Sequence, residues 1–347
     1  MNMSNELKLY KEVSQQLLDK KTLQEISISK KDMTEIIADD NWRELSIKLI
    51  SKADIHGRIN SKDVLNLAMN RLDKFCKEPD EGWLLYAYKF TISKLFLEEK
   101  TIIEEKKHKK GRLFLLSILR AVYKYEEKTL AFDPTVNIDF LSEEEIDKNG
   151  YNVEYKEIHK LVRSEYIYEF MRIGSDITQY NTLGHIAGVH YVAMYISRQL
   201  KELGVPIDLG IISGAAAGHD IGKYGCRKSE EKRTPYLHYY YTDSCYKKFN
   251  MPTIGHIAAN HSTWDLELEN LSAESLVLIY ADFRVKGGRG KEHAGEIHFY
   301  SLDDAFEIIL EKLDDVDETK KRRYQKVYNK LKDFENYIVA KGTEVLL

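Results

Sequence analysis

The chain has 347 residues, 43% of them apolar and 31% charged, with 52 basic against 56 acidic side chains and a formal net charge of -4. That apolar share supplies a sizeable core and excludes an intrinsically disordered chain, while the nearly balanced charge gives no global field to draw the protein to nucleic acid or anionic lipid. At about 100 to 200 residues per domain, the length predicts two domains.

The opening, MNMSNELKLYKEV, turns charged at once and lacks the apolar stretch of a signal peptide. No run approaches the ~18 apolar residues of a membrane span. The expectation is a cytoplasmic protein with no membrane partner. The three cysteines, Cys76, Cys226 and Cys245, are too few for a disulfide framework or a thiolate zinc site and read as reduced thiols.

In chain order, apolar residues recur at spacings of three and four from Trp83 to Phe96 and again from Leu113 to Val122, which predicts helices. Alternating apolar runs bounded by turn residues are rare and only five prolines occur, so the predicted class is all-α. Paired helices across residues 1–130 fit an α-solenoid stack. A basic cluster of Lys106, Lys107, Lys109, Lys110 and Arg112 lies between two helical stretches. It reads first as a solvated connection and second as a contact for phosphate or a protein partner. The stretch FDPTVNIDFLSEEEIDKNGYN then loses helical periodicity. It places a linker at about 133–152, between an N-terminal helical domain (1–150) and a C-terminal domain (151–347).

Eleven histidines are present, and His185, His190, His219, His238, His256 and His261 crowd into one stretch. Neutral imidazoles beside carboxylates are ligands for divalent transition metals, so a metal site explains the enrichment economically. The sharpest element is Gly218-His219-Asp220-Ile221-Gly222-Lys223. It follows a segment rich in small residues, which lets neighbouring helices approach its backbone closely. Adjacent side chains diverge by about 100° on a regular helix, so His219 and Asp220 share an ion most easily where the helix is distorted, a place Gly222 supplies.

An upstream histidine, an HDIGK pair and a downstream aspartate in an apolar helix resemble the HD superfamily of metal-dependent phosphohydrolases, over roughly residues 160–290. The resemblance implies a helical bundle, preceded here by a smaller helical domain. It assigns His185, in TLGHIAGVHY, and Asp282, in SLVLIYADFRVK, as metal ligands with His219 and Asp220. His238 and His261 stand where two-metal members carry extra ligands, which implies two divalent ions. Iron, manganese, cobalt or nickel suit such a thiolate-free set better than structural zinc. The branch it looks most like hydrolyses symmetrical dinucleoside polyphosphates. The cyclic-di-GMP phosphodiesterases share HDIGK but carry a second adjacent histidine where this chain has Asn260, and a Gly-Tyr-Pro motif where it has WDLELEN.

On this reading two metals activate water, with Asp220 as bridging ligand and catalytic group. Lys223 presents a fixed positive charge to the phosphate. Arg284 and Arg289 are further substrate contacts, Arg289 and Lys291 lying in the basic Gly-rich stretch from Gly287. His190 and His256 are expected as core or supporting groups. The partner is a nucleotide or other phosphorylated small molecule, not nucleic acid. The competing class is a non-catalytic metal and nucleotide module that signals to a protein partner through the N-terminal helices.

Overall fold

The three-and-four spacings become helices throughout. The structure, a computed structural model, describes residues 4–76, 80, 82–96, 108–149, 151, 153–178, 180–261, 271–288, 295–312 and 317–345. In chain order the helices are α1 (Asn5–Leu17), α2 (Lys20–Ile26), α3 (Lys30–Ala38), α4 (Asp40–Lys48), α5 (Ser61–Leu72), α6 (Trp83–Leu95), α7 (Lys109–Thr129), α8 (Glu143–Asn149) and α9 (Val153–Ser164). They continue as α10 (Ile167–Ile177), α11 (Thr182–Glu202), α12 (Leu209–Ala216), α13 (Thr234–Lys248), α14 (Pro252–Ala259), α15 (Ala273–Arg284), α16 (Leu302–Lys312) and α17 (Glu318–Ala340). A single antiparallel pair, β1 (Val285–Gly287) with β2 (Ile297–Phe299), is the only sheet among the described residues. The class is all-α, and no described helix is long and apolar enough to cross a membrane.

Contacts divide the chain into two units, Met1–Phe132 with Arg163–Thr178, and Asp133–Val162 with Gln179–Leu347. In the first unit, capping side chains of Asp19, Ser29, Asp39 and Asn60 accept backbone N–H groups and start α2 to α5 one after another. Helix α7 is buried on every side from Gly111 to Tyr123. It is the hub against which α1, α2, α5, α6 and α10 pack. This arrangement around one central helix differs from the stacked pairs of a solenoid. Because α7 begins at Lys109, Arg112 falls on its buried side, its guanidinium 4.1 Å from the Phe90 ring centroid. Lys110 bonds the Ser27 carbonyl at 3.2 Å. Arg112 is therefore not part of a solvated cationic cluster, whereas Lys109 and Lys110 are exposed, and Lys106 and Lys107 lie outside the described residues. Two buried ion pairs complete the unit: Arg120 to Glu169 at 2.6 Å and Arg172 to Glu126 at 3.0 Å, the latter guanidinium 4.2 Å from the Tyr123 ring centroid.

The stretch expected as a linker is built into the second unit. Ser142 and Glu145 cap α8 reciprocally, Glu145 N–H donating to Ser142 Oγ at 3.2 Å and Ser142 N–H to Glu145 Oε2 at 2.9 Å. Arg198 on α11 holds both Asp139 and Glu145. Polar capping groups hide this short helix from an apolar-periodicity reading. Helix α12 is the centre of the unit, packed by α11, α14 and α15. A Cβ on Gly214 would stand 2.7 Å from Ile254 Cδ1 and 2.9 Å from Ile158 Cγ2, so α14 and α9 reach its backbone only because that position is bare.

Replacing Arg172 by Met leaves the Glu126 carboxylate buried without its cation. The expected loss is about 3 to 5 kcal/mol in urea unfolding of the first unit. A loss below about 1 kcal/mol would mean that water compensates the carboxylate.

Candidate metal centre

The centre grows from the end of α12. Ala217 is the helix cap, and beyond it Gly218–Asp220 form a turn before a 3₁₀ segment, Ile221–Gly225. His219 and Asp220 therefore leave a regular helix at the point where both can face one side, Asp220 with φ -102° and ψ 8°. Gly222 contributes by close approach: a Cβ there would meet the His238 carbonyl oxygen at 1.9 Å and Thr242 N at 2.5 Å. Helix α13 thus lies directly over the turn. Thr242 Oγ1 accepts from Gly222 N–H at 3.1 Å and donates to the His219 carbonyl at 3.0 Å, clamping the two segments together.

Six side chains from five places meet around this turn. His185 comes from the first turn of α11, His219 and Asp220 from the turn itself, His238 from α13, His261 from just beyond α14, and Asp282 from α15. His185 Nε2 lies 3.2 Å from Asp220 Oδ2, 2.9 Å from Asp282 Oδ1 and 3.4 Å from His219 Nε2. His219 Nε2 is 3.7 Å from Asp220 Oδ2 and 3.9 Å from Asp282 Oδ1. On the other side, Asp220 Oδ1 faces His238 Nε2 at 3.5 Å and His261 Nε2 at 3.7 Å. Two ligands each about 2.1 Å from one ion, at about 90 to 109° to each other, stand about 3.0 to 3.4 Å apart, so these spacings are close to those of a coordination shell. The donor atoms form two groups that share Asp220: His185, His219 and Asp220, and Asp220, His238 and His261.

The protonation pattern suits a cation. His219 Nδ1 donates to the Ala216 carbonyl at 2.9 Å, His238 Nδ1 to Thr234 at 2.8 Å and His261 Nδ1 to Ala258 at 2.6 Å. A carbonyl only accepts, so in each neutral ring the proton sits on Nδ1 and the Nε2 lone pair points into the centre. Two of those carbonyls, at Ala216 and Ala258, belong to the last turns of α12 and α14, where carbonyls lack helical partners. Burial pushes His219 and His261 down to about 4, against the opposing pull of Asp220, and lowers His238 too, so these rings stay neutral. Burial pushes Asp220 up, but Lys223, His219 and His185 outweigh it and hold the carboxyl well below the carboxylate range. For Asp282 burial is likewise outweighed, by Lys286 and His185. Asp220 Oδ1 is buried with no hydrogen-bond donor among the described residues. Imidazole lone pairs and a carboxylate oxygen converging without an intervening proton repel one another, and a cation between them removes that repulsion.

The other expected groups divide. Lys223 Nζ pairs with Asp220 Oδ2 at the half-exposed edge. Arg284 is turned into the unit instead: its Nε donates to the Tyr300 carbonyl at 2.7 Å, and its Nη1 to the Val345 carbonyl at 2.7 Å and to Tyr280 Oη at 3.1 Å. Two residues beyond Asp282 on α15, it leaves the face that carries the ligand, which corrects its expected role as a substrate contact. Arg289 and Lys291 lie outside the described residues. His190 is a core residue bonded to Ser213 Oγ at 2.9 Å, and His256 is exposed beside Asn260. Cys226 contacts the Gly222 carbonyl at 3.6 Å, and burial raises its thiol, as for an unreactive cysteine. One neighbour, Lys286, escaped the sequence reading, and the Tyr239 ring also borders the centre. Lys286 Nζ is 3.7 Å from Asp282 Oδ1, and the Tyr239 ring is 3.8 Å from that of His238 and 4.8 Å from that of His261, centroid to centroid. The four-residue spacing from Asp282 to Lys286 was the available signal.

Gly222→Ala should destabilise the protein by about 3 kcal/mol, since the neighbour that must give way is backbone. An unchanged midpoint in chemical unfolding would contradict the close approach of α13. A pH experiment tests the neutral imidazoles. Metal-free protein should lose stability as pH falls from about 6.5 towards 4, because buried His261 stays neutral to about 4 whereas the unfolded chain takes up its proton near 6.5. The sign follows from proton uptake on unfolding. His261→Asn should flatten that fall in thermal midpoint, and an unchanged slope would show that the ring is already solvated. Comparison with protein-family models, curated proteins and solved structures finds no match to this chain.

Proposed function

We propose that the chain is an HD-type metal-dependent phosphohydrolase that cleaves a phosphoester or phosphoanhydride bond in a nucleotide-like substrate. The observation that carries this reading is the single carboxylate of Asp220, with one oxygen towards His185 and His219 and the other towards His238 and His261. One divalent cation would be held by His185, His219, Asp282 and Asp220 Oδ2, and a second by His238, His261 and Asp220 Oδ1. Iron, manganese, cobalt or nickel fit this nitrogen and oxygen set. Two such cations would supply a water of lowered pKa and polarise a phosphoryl oxygen.

The chain's own residues do the positioning. The carbonyls of Ala216, Thr234 and Ala258 fix three imidazole tautomers, so none of these three rings must reorient to act as a ligand. Asp220 sets the distance between the two groups. Lys223, paired with Asp220 and the most exposed of these groups, would donate to a phosphoryl oxygen as negative charge grows on it. Tyr239 packs against His238 and His261 and screens their side of the centre from water.

Elemental analysis of purified protein should find about two equivalents of divalent metal. His238→Ala or His261→Ala should lower this towards one, because the other group keeps its ligands. Asp220→Ala should abolish hydrolysis of phosphate esters while the helical circular dichroism remains, and Lys223→Ala should keep the metals and lower turnover about a hundredfold. Protein that binds no divalent ion, or an Asp220→Ala variant that still turns over, would overturn the reading.

A further inference from the structure

We propose that Lys286 is a second phosphate-binding residue of this centre, and that it selects substrates carrying two linked phosphoryl groups over those carrying one. The inference rests on the phosphohydrolase reading and adds its substrate class. The deepest ligands are shut off from solvent, with side chains of His219, Asp220, His261 and His238 only 0, 2, 3 and 6% exposed. His185, Asp282, Lys286 and Lys223 are 14, 17, 20 and 37% exposed. A ligand therefore meets the centre along the rim formed by these four residues.

Each carboxylate on that path has its own lysine: Lys223 on Asp220 and Lys286 on Asp282. Lys286 is held in place by its own element. Helix α15 gives way to β1 at Val285, whose buried side chain lies against α11, where a Cβ on Gly188 would be 2.8 Å from Val285 Cγ1. The next residue then turns back over the helix end, and its Nζ donates to the Asp282 carbonyl at 2.6 Å. The two carboxylates are joined through His185, whose Nε2 lies 3.2 Å from Asp220 Oδ2 and 2.9 Å from Asp282 Oδ1, so the two lysines stand on neighbouring ligands of one rim. A phosphate monoester supplies about -1.5 to -2 near neutral pH. Two linked phosphoryl groups supply more and span farther. With Lys223 on the first group, Lys286 at the neighbouring carboxylate is, among the described residues, the cation offered to the second.

The test uses full-length protein loaded with manganese, with inorganic phosphate and methylenediphosphonate as probes and calorimetry as readout. Wild-type protein should prefer the diphosphonate. Lys286→Gln should retain the metal and reduce that preference about tenfold, Lys286→Arg should restore most of it, and Lys223→Gln should weaken both ligands alike. An unchanged preference in Lys286→Gln, or loss of metal in that variant, would overturn the proposal and leave Lys286 as a partner of Asp282 alone. The parent reading fails differently: wild-type protein would then bind no manganese, or bind neither probe.

Discussion

Everything around the candidate centre depends on one buried carboxylate that two sets of imidazoles approach from opposite sides. Asp220 is enclosed, its Oδ1 meets no donor among the described residues, and the rings nearest that oxygen present lone pairs rather than protons. Such an arrangement is unfavourable by itself, and the surrounding structure imposes it. The peptide groups at the ends of α12 and α14 fix His219 and His261, and α13 is pressed over the turn at Gly222 so that His238 arrives within one carboxylate width of them. The pattern of bare positions on and after α12 serves the same end. Gly214 admits α9 and α14, Gly218 admits Tyr246, and Gly222 admits α13, so the helices bearing the ligands are drawn to one point by the absence of side chains there.

The two units are stabilised by different means. In the first, a helix buried all round carries ion pairs that are nearly inaccessible to water, and each charge is costly if its partner is lost. In the second, apolar packing on small residues surrounds one centre where imidazoles and carboxylates gather. Nothing in the first unit duplicates the histidine and aspartate groups of the second among the described residues.

Much of this was legible in the sequence, and for identifiable reasons. The helical class followed from apolar spacing, as in Trp83 to Phe96 and Leu113 to Val122, because packing selects one face and repeats it. His185, His219, Asp220, His238, His261 and Asp282, expected together from the family resemblance of their motifs, are brought within a few ångströms of one another. What the sequence concealed was direction. Arg284 and Lys286 are neighbours in a basic stretch, yet one is consumed by backbone carbonyls and the other points at a ligand, because the helix ends between them and the period changes from helix to strand. Residues 133–149 concealed their packing in the same way, since their structure rests on Ser142, Glu145 and Arg198 rather than on an apolar face. The return of the chain to the first unit at Arg163–Thr178 has no local signal at all, being set by long-range partners such as Glu126 and Ser61.

The most direct test of the account is to locate the ions. Anomalous diffraction at the manganese edge, from crystals of metal-loaded protein, should show two peaks about 3.5 to 4 Å apart on either side of Asp220. One should lie within bonding distance of His185, His219 and Asp282, and the other within bonding distance of His238 and His261. A single peak, or two peaks with Asp220 outside both coordination shells, would contradict the shared-carboxylate arrangement from which the proposed chemistry follows.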